Sequence, residues 1–251
     1  MNWIMFAFVG SVAQLVDGSM GMGFGLTSTT LLLSLGATAA LSSTMVHLAE
    51  IGTTLASGTS HWRVGNVDKD VLKKLAIPGG IGAFAGATFL SFIDLSVAKI
   101  FISTLLLLLG GLLLYRSIAK VPSQIAITEV KSPRFLSYLG LTGGFVDASG
   151  GGGWGPVVTP TLLASSAIEP KKIIGTVSMA EFIVAISASA GFLLNISRLD
   201  INWAAVGGLA LGGIITAPFA ALLAGKLPAK ALGIMVSITI IVINGSRILM
   251  A

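Results

Sequence analysis

The chain of 251 residues contains no cysteine, only two histidines and only 10% charged residues. The absence of cysteine excludes disulfide bonds and thiolate metal sites. Two histidines are too few for a typical histidine-rich metal site, and neither a His-Glu-x-x-His sequence nor a recognisable Ser-His-Asp set is present. We therefore predict that the protein is not an enzyme and uses no metal and no cofactor.

Apolar residues make up 54% of the chain, and its mean hydropathy of +0.95 is far above the range of soluble domains. The sequence therefore predicts an all-α polytopic membrane protein, for which the lipid bilayer is the first partner. The net charge of +5 does not indicate a nucleic-acid partner, because the basic residues stand in short loops between apolar segments. Basic residues in such loops set membrane topology.

Six apolar stretches are long enough to cross a bilayer, for which about 20 residues are needed. Four shorter pieces, at 3–16, 23–36, 136–146 and 153–165, have the length of re-entrant arms. The charged stretch 117–135 is the predicted cytoplasmic linker between two halves, 1–116 and 136–251. The first half is predicted to contain a hairpin at 3–36 and spans at 39–60, 75–93 and 97–115; the second contains a hairpin at 136–165 and spans at 173–195, 203–225 and 229–248.

A polar, glycine-rich sequence occurs once in each half. Asp17 to Gly25 reads Asp-Gly-Ser-Met-Gly-Met-Gly-Phe-Gly, and 130 positions later Asp147 to Gly155 reads Asp-Ala-Ser-Gly-Gly-Gly-Gly-Trp-Gly. The repeat continues in each half through a threonine, a Leu-Leu pair and an Ala-Glu pair. A glycine-rich break that occurs twice in apolar sequence is typical of a transporter's substrate site.

The distribution of basic residues predicts that the two halves are inverted repeats with both termini outside. If each short-arm pair enters and leaves on one side, each half has three net crossings, and twelve basic residues fall on one side with three on the other. If each pair is instead one broken crossing helix, the split is ten against five, which the positive-inside rule disfavours. Two full short crossings give the same parity as a re-entrant hairpin, so these two options stay open. The predicted inner side carries Arg63, Lys69, Lys73, Lys74, Arg116, Lys120, Lys131, Arg134, Lys171, Lys172, Lys226 and Lys230, and the outer side carries Lys99, Arg198 and Arg247.

The glycine motifs are candidate anion sites. Two short helices that meet at a glycine-rich turn leave backbone N–H groups unpaired at the start of the second helix, where the helix dipole favours an anion. The alternative is that the glycines permit tight packing while Asp17 and Asp147 cap helices; the two roles are compatible. The predicted substrate-binding residues are Ser19, Gly21, Gly23, Ser149, Gly150, Gly151, Gly152, Gly153 and Trp154.

Four acidic residues fall at membrane depth as two repeat-related pairs, Asp17 with Asp147 and Glu50 with Glu181. An intramembrane carboxylate is costly and is therefore a functional candidate. His47 precedes Glu50 by three residues, on a helix face that also carries Ser43 and is predicted to look into the protein. We interpret His47 and Glu50 as a candidate proton relay, and a hydrogen bond from a neutral Glu50 to a neighbouring helix as the alternative.

The strings Leu141–Leu163, Val46–Glu50 and Ser60–Asp68 resemble the TauE/SafE sulfite exporter family, also called the toluene sulfonate uptake family. The resemblance covers both halves and implies a prokaryotic inner-membrane transporter of sulfite, sulfoacetate or other organosulfonate anions, usually an exporter. The first half departs from the pattern, with Met20 and Met22 where the second has Gly150 and Gly152. A symmetric anion site is therefore not expected.

The leading functional hypothesis is alternating access, in which the two repeats rock around the paired hairpins. An anion channel is one alternative, and a proton- or sodium-coupled transporter of another small carboxylate or sulfur oxyanion is the other. The sequence leaves a homo-oligomer open.

Overall fold

The computed structural model describes residues 3–20, 22–119, 132–165, 168–195, 201–223 and 229–249. These residues form ten α-helices. In chain order the helices are α1 (Trp3–Met20), α2 (Phe24–Ser34), α3 (Ala39–Arg63), α4 (Lys69–Phe92), α5 (Leu95–Ile118), α6 (Pro133–Gly150), α7 (Trp154–Ser165), α8 (Pro170–Asn195), α9 (Trp203–Leu223) and α10 (Ala229–Leu249).

Side-chain caps define where four of the helices begin. Thr38 accepts a hydrogen bond from the Leu41 amide at the start of α3, and Asp68 and Asp94 accept amide hydrogen bonds at the starts of α4 and α5. Ser132 caps α6, and Pro133 follows at the first helical position, where its missing N–H costs nothing. Thr38, Asp94 and Ser132 stand one to four residues before an apolar run, and Asp68 stands before the charged first turns of α4, so the helix starts are encoded locally.

Each half begins with two helices joined by a glycine turn. Gly23, Gly151 and Gly152 have φ of 130°, 71° and 139°, a region that favours glycine, so the chain reverses there. The first helix of each pair, α1 or α6, runs four residues beyond the predicted arm, to Met20 instead of residue 16 and to Gly150 instead of residue 146. The motif aspartates therefore lie in the last turn of a helix.

Close backbone contacts hold the first helix of each half against the other half. A Cβ atom on Gly144 would lie 2.0 Å from the carbonyl oxygen of Gly79, and one on Gly82 would lie 2.0 Å from that of Leu141. α6 therefore packs directly on α4. In the same way α1 packs on α9, where a Cβ on Gly212 would lie 1.9 Å from the carbonyl oxygen of Ala7. Glycines spaced by four residues allow such close contact between membrane helices.

The largest contacts between helices correspond when the two halves are exchanged. α4 packs on α6 and α8, as α9 packs on α1 and α3, while α3 packs on α8 and α5 on α10. The central pairs run antiparallel: Gly58 of α3 lies at Met179 of α8, whereas the later His61 lies at the earlier Gly175.

By length and composition, three helices among the described residues are apolar enough to cross a membrane, at Lys69–Phe92, Leu95–Ile118 and Lys171–Asn195. α3 has 25 residues, but its serines, threonines, His47 and Glu50 lower its hydropathy. Shorter apolar stretches occur at Trp3–Asp17, Phe24–Ser34, Trp203–Phe219 and Ile234–Leu249. Large exposed apolar side chains, among them Phe8, Leu108 and Ile215, form the lipid-facing surface of a membrane protein.

Some of the predicted features lie outside the described residues. These are residues 120–131 of the predicted linker, residues 224 and 225 of the predicted span 203–225, Gly21, the side chain of Ser19, and Arg198 and Lys226 of the charge distribution.

Candidate functional site

The two glycine turns touch each other. A Cβ atom on Gly25 would lie 2.4 Å from the Cα of Gly152, and one on Gly152 would lie 2.4 Å from the amide nitrogen of Leu26. The Thr29 hydroxyl of α2 donates a hydrogen bond to the carbonyl oxygen of Gly151. The turn between α6 and α7 therefore covers the N-terminus of α2, and no anion fits between Gly25 and Gly152 in this arrangement.

The carboxylates of the motif aspartates reach the starts of α2 and α7. Asp147 Oδ1 accepts a hydrogen bond from the Trp154 amide at 2.9 Å. The repeat-related Asp17 carboxylate interacts with the backbone N–H of Phe24, at the equivalent position of α2. Each carboxylate thus interacts favourably with the partial positive charge at a helix N-terminus. This is the capping role that the sequence offered as the alternative for these residues.

His47 joins α3 to the end of α6. Its Nε2 lies 3.1 Å from Asp147 Oδ2, and its Nδ1 lies 2.7 Å from the carbonyl oxygen of Ser43. The Ser43 hydroxyl donates to the carbonyl oxygen of Ala148 at 2.7 Å, beside the His47 contact. His47 has no exposed surface and Asp147 has 1%, so the whole contact is shielded from solvent. The ring of Phe192 on α8 closes one side, at 6.2 Å between ring centres.

Glu50 stands between His47 and the first hairpin. Its Oε2 lies 4.0 Å from His47 Nε2 and has no hydrogen-bond partner, although the residue is 99% buried. Its Oε1 would lie 2.9 Å from a Cβ on Gly25. The half-buried Asp17 and Glu181 interact electrostatically with Glu50. All four intramembrane carboxylates and His47 therefore belong to one cluster at the meeting point of the hairpins.

Ligand atoms of His47, Glu50 and Asp147 lie within 4.8 Å of one another. The separation of His47 Nε2 and Asp147 Oδ2 is that of a direct hydrogen bond, which satisfies this pair without an ion. We describe the three residues as a hydrogen-bonded cluster.

Other predicted site residues have packing roles in this arrangement. The Ser149 hydroxyl donates to the carbonyl oxygen of Phe145 at 2.6 Å, within its own helix. Trp154 is fully buried, and its Nε1 donates to the carbonyl oxygen of Val177 on α8 at 3.1 Å. Gly150 faces Leu105, and Gly153 packs on its own hairpin. Thr29, which bonds to Gly151, is the threonine of the sequence repeat that follows the first glycine motif. Sequence reasoning did not identify it as a site residue, because its contact joins residues 122 positions apart.

Two basic residues line a cavity of about 380 Å³ at the other end of α2. The Lys99 side chain is exposed, and the Arg247 guanidinium donates to the carbonyl oxygen of Leu33 at the end of α2. The remaining wall is mainly the chain from Leu33 to Ala39. α2 has 11 residues and is therefore about 16 Å long, which separates this basic cavity from the hairpin contact.

A bundle of apolar helices that brings two glycine-rich hairpins and buried carboxylates together is the architecture of a membrane transporter. The chain belongs to the family described as Sulfite exporter TauE/SafE, which it matches over residues 6–246. It is 49% identical over 247 residues to the "Probable membrane transporter protein YtnM" of Bacillus subtilis (strain 168), covering 98% of this chain and 82% of that protein. No solved structure matches the chain significantly.

These similarities confirm the prediction of a membrane transport protein of this family. Transporters as a class move solutes without covalent chemistry.

Proposed function

We propose that the protein exports small sulfur-containing oxyanions, such as sulfite or organosulfonates, across the prokaryotic cytoplasmic membrane. The observation that carries the proposal is the contact of the two hairpin turns at Gly25 and Gly152, in a member of this family. Separation of the turns would uncover the backbone N–H groups of Gly25 and Leu26 at the start of α2. Such groups bind anions.

The two halves are inverted repeats in this proposal. Support comes from the antiparallel course of α3 and α8, which occupy equivalent positions in the two halves. α5 and α10 behave in the same way, since Gly110 lies at Ile240 and Ile241 whereas the earlier Leu107 lies at the later Gly245. Equivalent helices of repeats related by an axis along the membrane normal would run parallel. With the charge distribution, both termini lie outside.

Alternating access fits the closed contact better than a channel does. A channel offers a continuous path, whereas here the backbones of Gly25 and Gly152 meet and Thr29 is bonded to Gly151. The hairpins must therefore separate before an anion can occupy the space between them. Close packing of α1 on α9 and of α4 on α6 ties each hairpin to the opposite half, so rocking of the halves would move them.

Membrane potential favours export of an anion. An inside-negative potential contributes about 2.3 kcal/mol per charge for each 100 mV. The basic cavity at Lys99 and Arg247 lies on the outer side in the proposed topology, where it would receive an anion that leaves the hairpin region.

Binding of a sulfur oxyanion is expected to raise the thermal stability of the purified protein. A ligand that binds only the folded state at 100 times its Kd adds about 2.7 kcal/mol to the free energy of unfolding. The screen compares sulfite, sulfoacetate, taurine, thiosulfate and sulfate, with chloride at equal ionic strength as the control. A stability that responds to none of the sulfur oxyanions more than to chloride contradicts the proposed substrate class.

Replacement of Lys99 by glutamine is expected to weaken the apparent affinity for the transported anion by about two- to fivefold, the effect of one exposed charge. Lys99→Gln removes a positive charge from the basic cavity and leaves the hairpins unchanged. The matched control is Lys230→Gln, an exposed lysine at the start of α10. The half-saturating anion concentration in proteoliposomes is measured at several salt concentrations, and equal values for the two variants would remove the cavity from the transport path.

A further inference from the structure

The hydrogen-bond partners of His47 show which of its ring nitrogens carry a proton. Nδ1 lies 2.7 Å from the carbonyl oxygen of Ser43, which is only an acceptor, so Nδ1 carries a hydrogen. Nε2 lies 3.1 Å from Asp147 Oδ2, and two lone pairs cannot form a bond at this distance. One proton must therefore stand between His47 Nε2 and Asp147 Oδ2, on either the imidazole or the carboxyl group.

Glu50 offers a second acceptor for the same proton. Its Oε2 is buried, has no partner, and lies 4.0 Å from His47 Nε2. A buried oxygen without a partner is costly, and a small movement of either side chain would bring the two atoms into hydrogen-bond distance. The other oxygen of Asp147 is held by the Trp154 amide, so Asp147 is fixed while Glu50 is free to accept.

The shared proton lies where α3 contacts the end of α6. His47 and Ser43 belong to α3, and they bind Asp147 and the Ala148 carbonyl at the end of α6. Loss of the proton would set an imidazole lone pair against a carboxylate oxygen, and the attraction between α3 and the second hairpin would become repulsion. Protonation of this pair therefore controls whether the hairpin stays against α3.

The charged surroundings of His47 are all acidic. Asp147 of α6 and Glu50 of α3 face it directly, and Asp17 of α1 and Glu181 of α8 stand behind Glu50. α2, α7 and α9 contain no titratable residue, and those of α4 and α5 lie near the helix ends. Asp17 and Glu181 keep part of their surface accessible, so the cluster is not wholly enclosed.

We propose that His47 binds a co-transported proton, which it shares with Asp147 when the hairpins touch and passes to Glu50 when they separate. In the transfer the Nε2–H bond of His47 breaks, the proton forms an O–H bond on Glu50, and the electron pair stays on Nε2. The net charge of the cluster is unchanged by this transfer, but the group nearest to Gly25 becomes a neutral carboxyl group instead of a carboxylate. An anion can then enter beside it, and we expect the anion and the proton to move in the same direction. A dianion that carries one proton keeps one net negative charge and is still driven outward by the membrane potential.

The coupling part of this inference rests on the proposed transport function, whereas proton binding by His47 does not. Proton binding is tested first, on the purified full chain labelled with ¹⁵N-histidine. The chain has two histidines, so two imidazole spectra are expected, and His61→Gln assigns them. We expect Nδ1 of His47 to stay protonated from about pH 5 to about pH 10, a span that covers the shifts seen for buried histidines, while Nε2 changes its protonation. An Nε2 that does not titrate in this range overturns the proposal.

Asp147→Asn provides the matched variant for this measurement. The amide group of asparagine donates a hydrogen bond to Nε2, so the imidazole is expected to remain neutral over the whole range. If the spectrum of His47 instead titrates as in the unmodified protein, Asp147 does not share the proton and the proposal is wrong.

Coupling is tested with sulfoacetate in proteoliposomes that contain a pH-sensitive dye, at a potential fixed by potassium and valinomycin. Entry of labelled sulfoacetate is expected to acidify the interior at a ratio near one proton per anion, and Glu50→Gln is expected to lose this acidification. Asp94→Asn, which removes an exposed carboxylate outside the cluster, is expected to keep it. Sulfoacetate entry without acidification in the unmodified protein overturns coupling. Absence of sulfoacetate entry contradicts the proposed function for this anion, and the histidine spectra then decide the proton site alone.

Discussion

Gly152→Ala is expected to abolish transport. Gly152 has φ of 139°, which an alanine rarely adopts, and its Cβ would lie 2.3 Å from the carbonyl carbon of Gly25. Backbone strain at such a position costs about 1–3 kcal/mol, and a clash with backbone in a packed interior adds a further 1–3 kcal/mol. The two effects together reduce the population of touching hairpins by roughly 30-fold or more. The measurement is the initial rate of anion flux in proteoliposomes, corrected for the amount of inserted protein.

Three further glycine variants separate the effect of backbone strain from the effect of the steric clash. Gly36→Ala has unfavourable φ, 90°, but a Cβ there meets nothing within 4 Å, and Gly207→Ala has neither strain nor clash. Gly25→Ala has the clash without the positive φ. We expect Gly25→Ala to lose flux, Gly36→Ala to lose only some stability, and Gly207→Ala to behave as the unmodified protein. Normal flux in both Gly25→Ala and Gly152→Ala would show that the turns need not touch.

Asp147→Ala is expected to lower the free energy of unfolding by about 3–5 kcal/mol, the usual effect of removing one partner from a buried charged pair. The substitution leaves both the Trp154 amide and His47 Nε2 without their acceptor in a buried place. Asp147→Asn keeps an oxygen for Trp154 and places a donor towards His47, so its stability is expected to stay close to that of the unmodified protein. Denaturant or thermal unfolding in detergent measures the difference.

Asp17→Ala is the repeat-related control for this prediction. Asp17 is half-buried and interacts with the Phe24 amide without a histidine partner, so its loss is expected to cost less. Equal losses for Asp17→Ala and Asp147→Ala would mean that helix capping, not the bond to His47, accounts for the effect.

Local sequence patterns predicted the helices well because each depends on neighbouring residues. Apolar length, capping residues and glycine turns are such features. α5 and α8 begin and end within three residues of the stretches 97–115 and 173–195, whereas α4 begins at Lys69, six residues before the stretch 75–93. α1 and α6 extend past their apolar arms because a helix end is set by the glycine turn rather than by the last apolar residue.

Contacts between distant residues could not be predicted in the same way. The spacing of His47 and Glu50 suggested that they pair, but the closer partner of His47 is Asp147, 100 residues away. The predicted burial of the α3 face that carries Ser43, His47 and Glu50 agrees with the structure, since all three have at most 1% exposed surface.

One pair of positions explains why the contact between the two hairpins is asymmetric. Gly25 meets Gly152, whereas the exchange of halves would require Met22 to meet Gly155. A methionine side chain fills space that a glycine leaves open, and Met22 is buried with 5% exposed surface. The departure from symmetry was visible in the sequence, but which turn lies over which helix was not.

The contact between Gly25 and Gly152 also constrains the order in which the protein folds during its synthesis. The two residues are 127 positions apart, and α9, the packing partner of α1, begins only at Trp203. At about 5–20 residues per second, the ribosome needs roughly 6–25 s between the synthesis of Gly25 and that of Gly152. During this interval the start of α2 lacks the second hairpin that covers it, and Glu50 lacks its neighbours Asp147 and Glu181. The contacts that cover the start of α2 and pack α1 therefore form only after the second half has been synthesised.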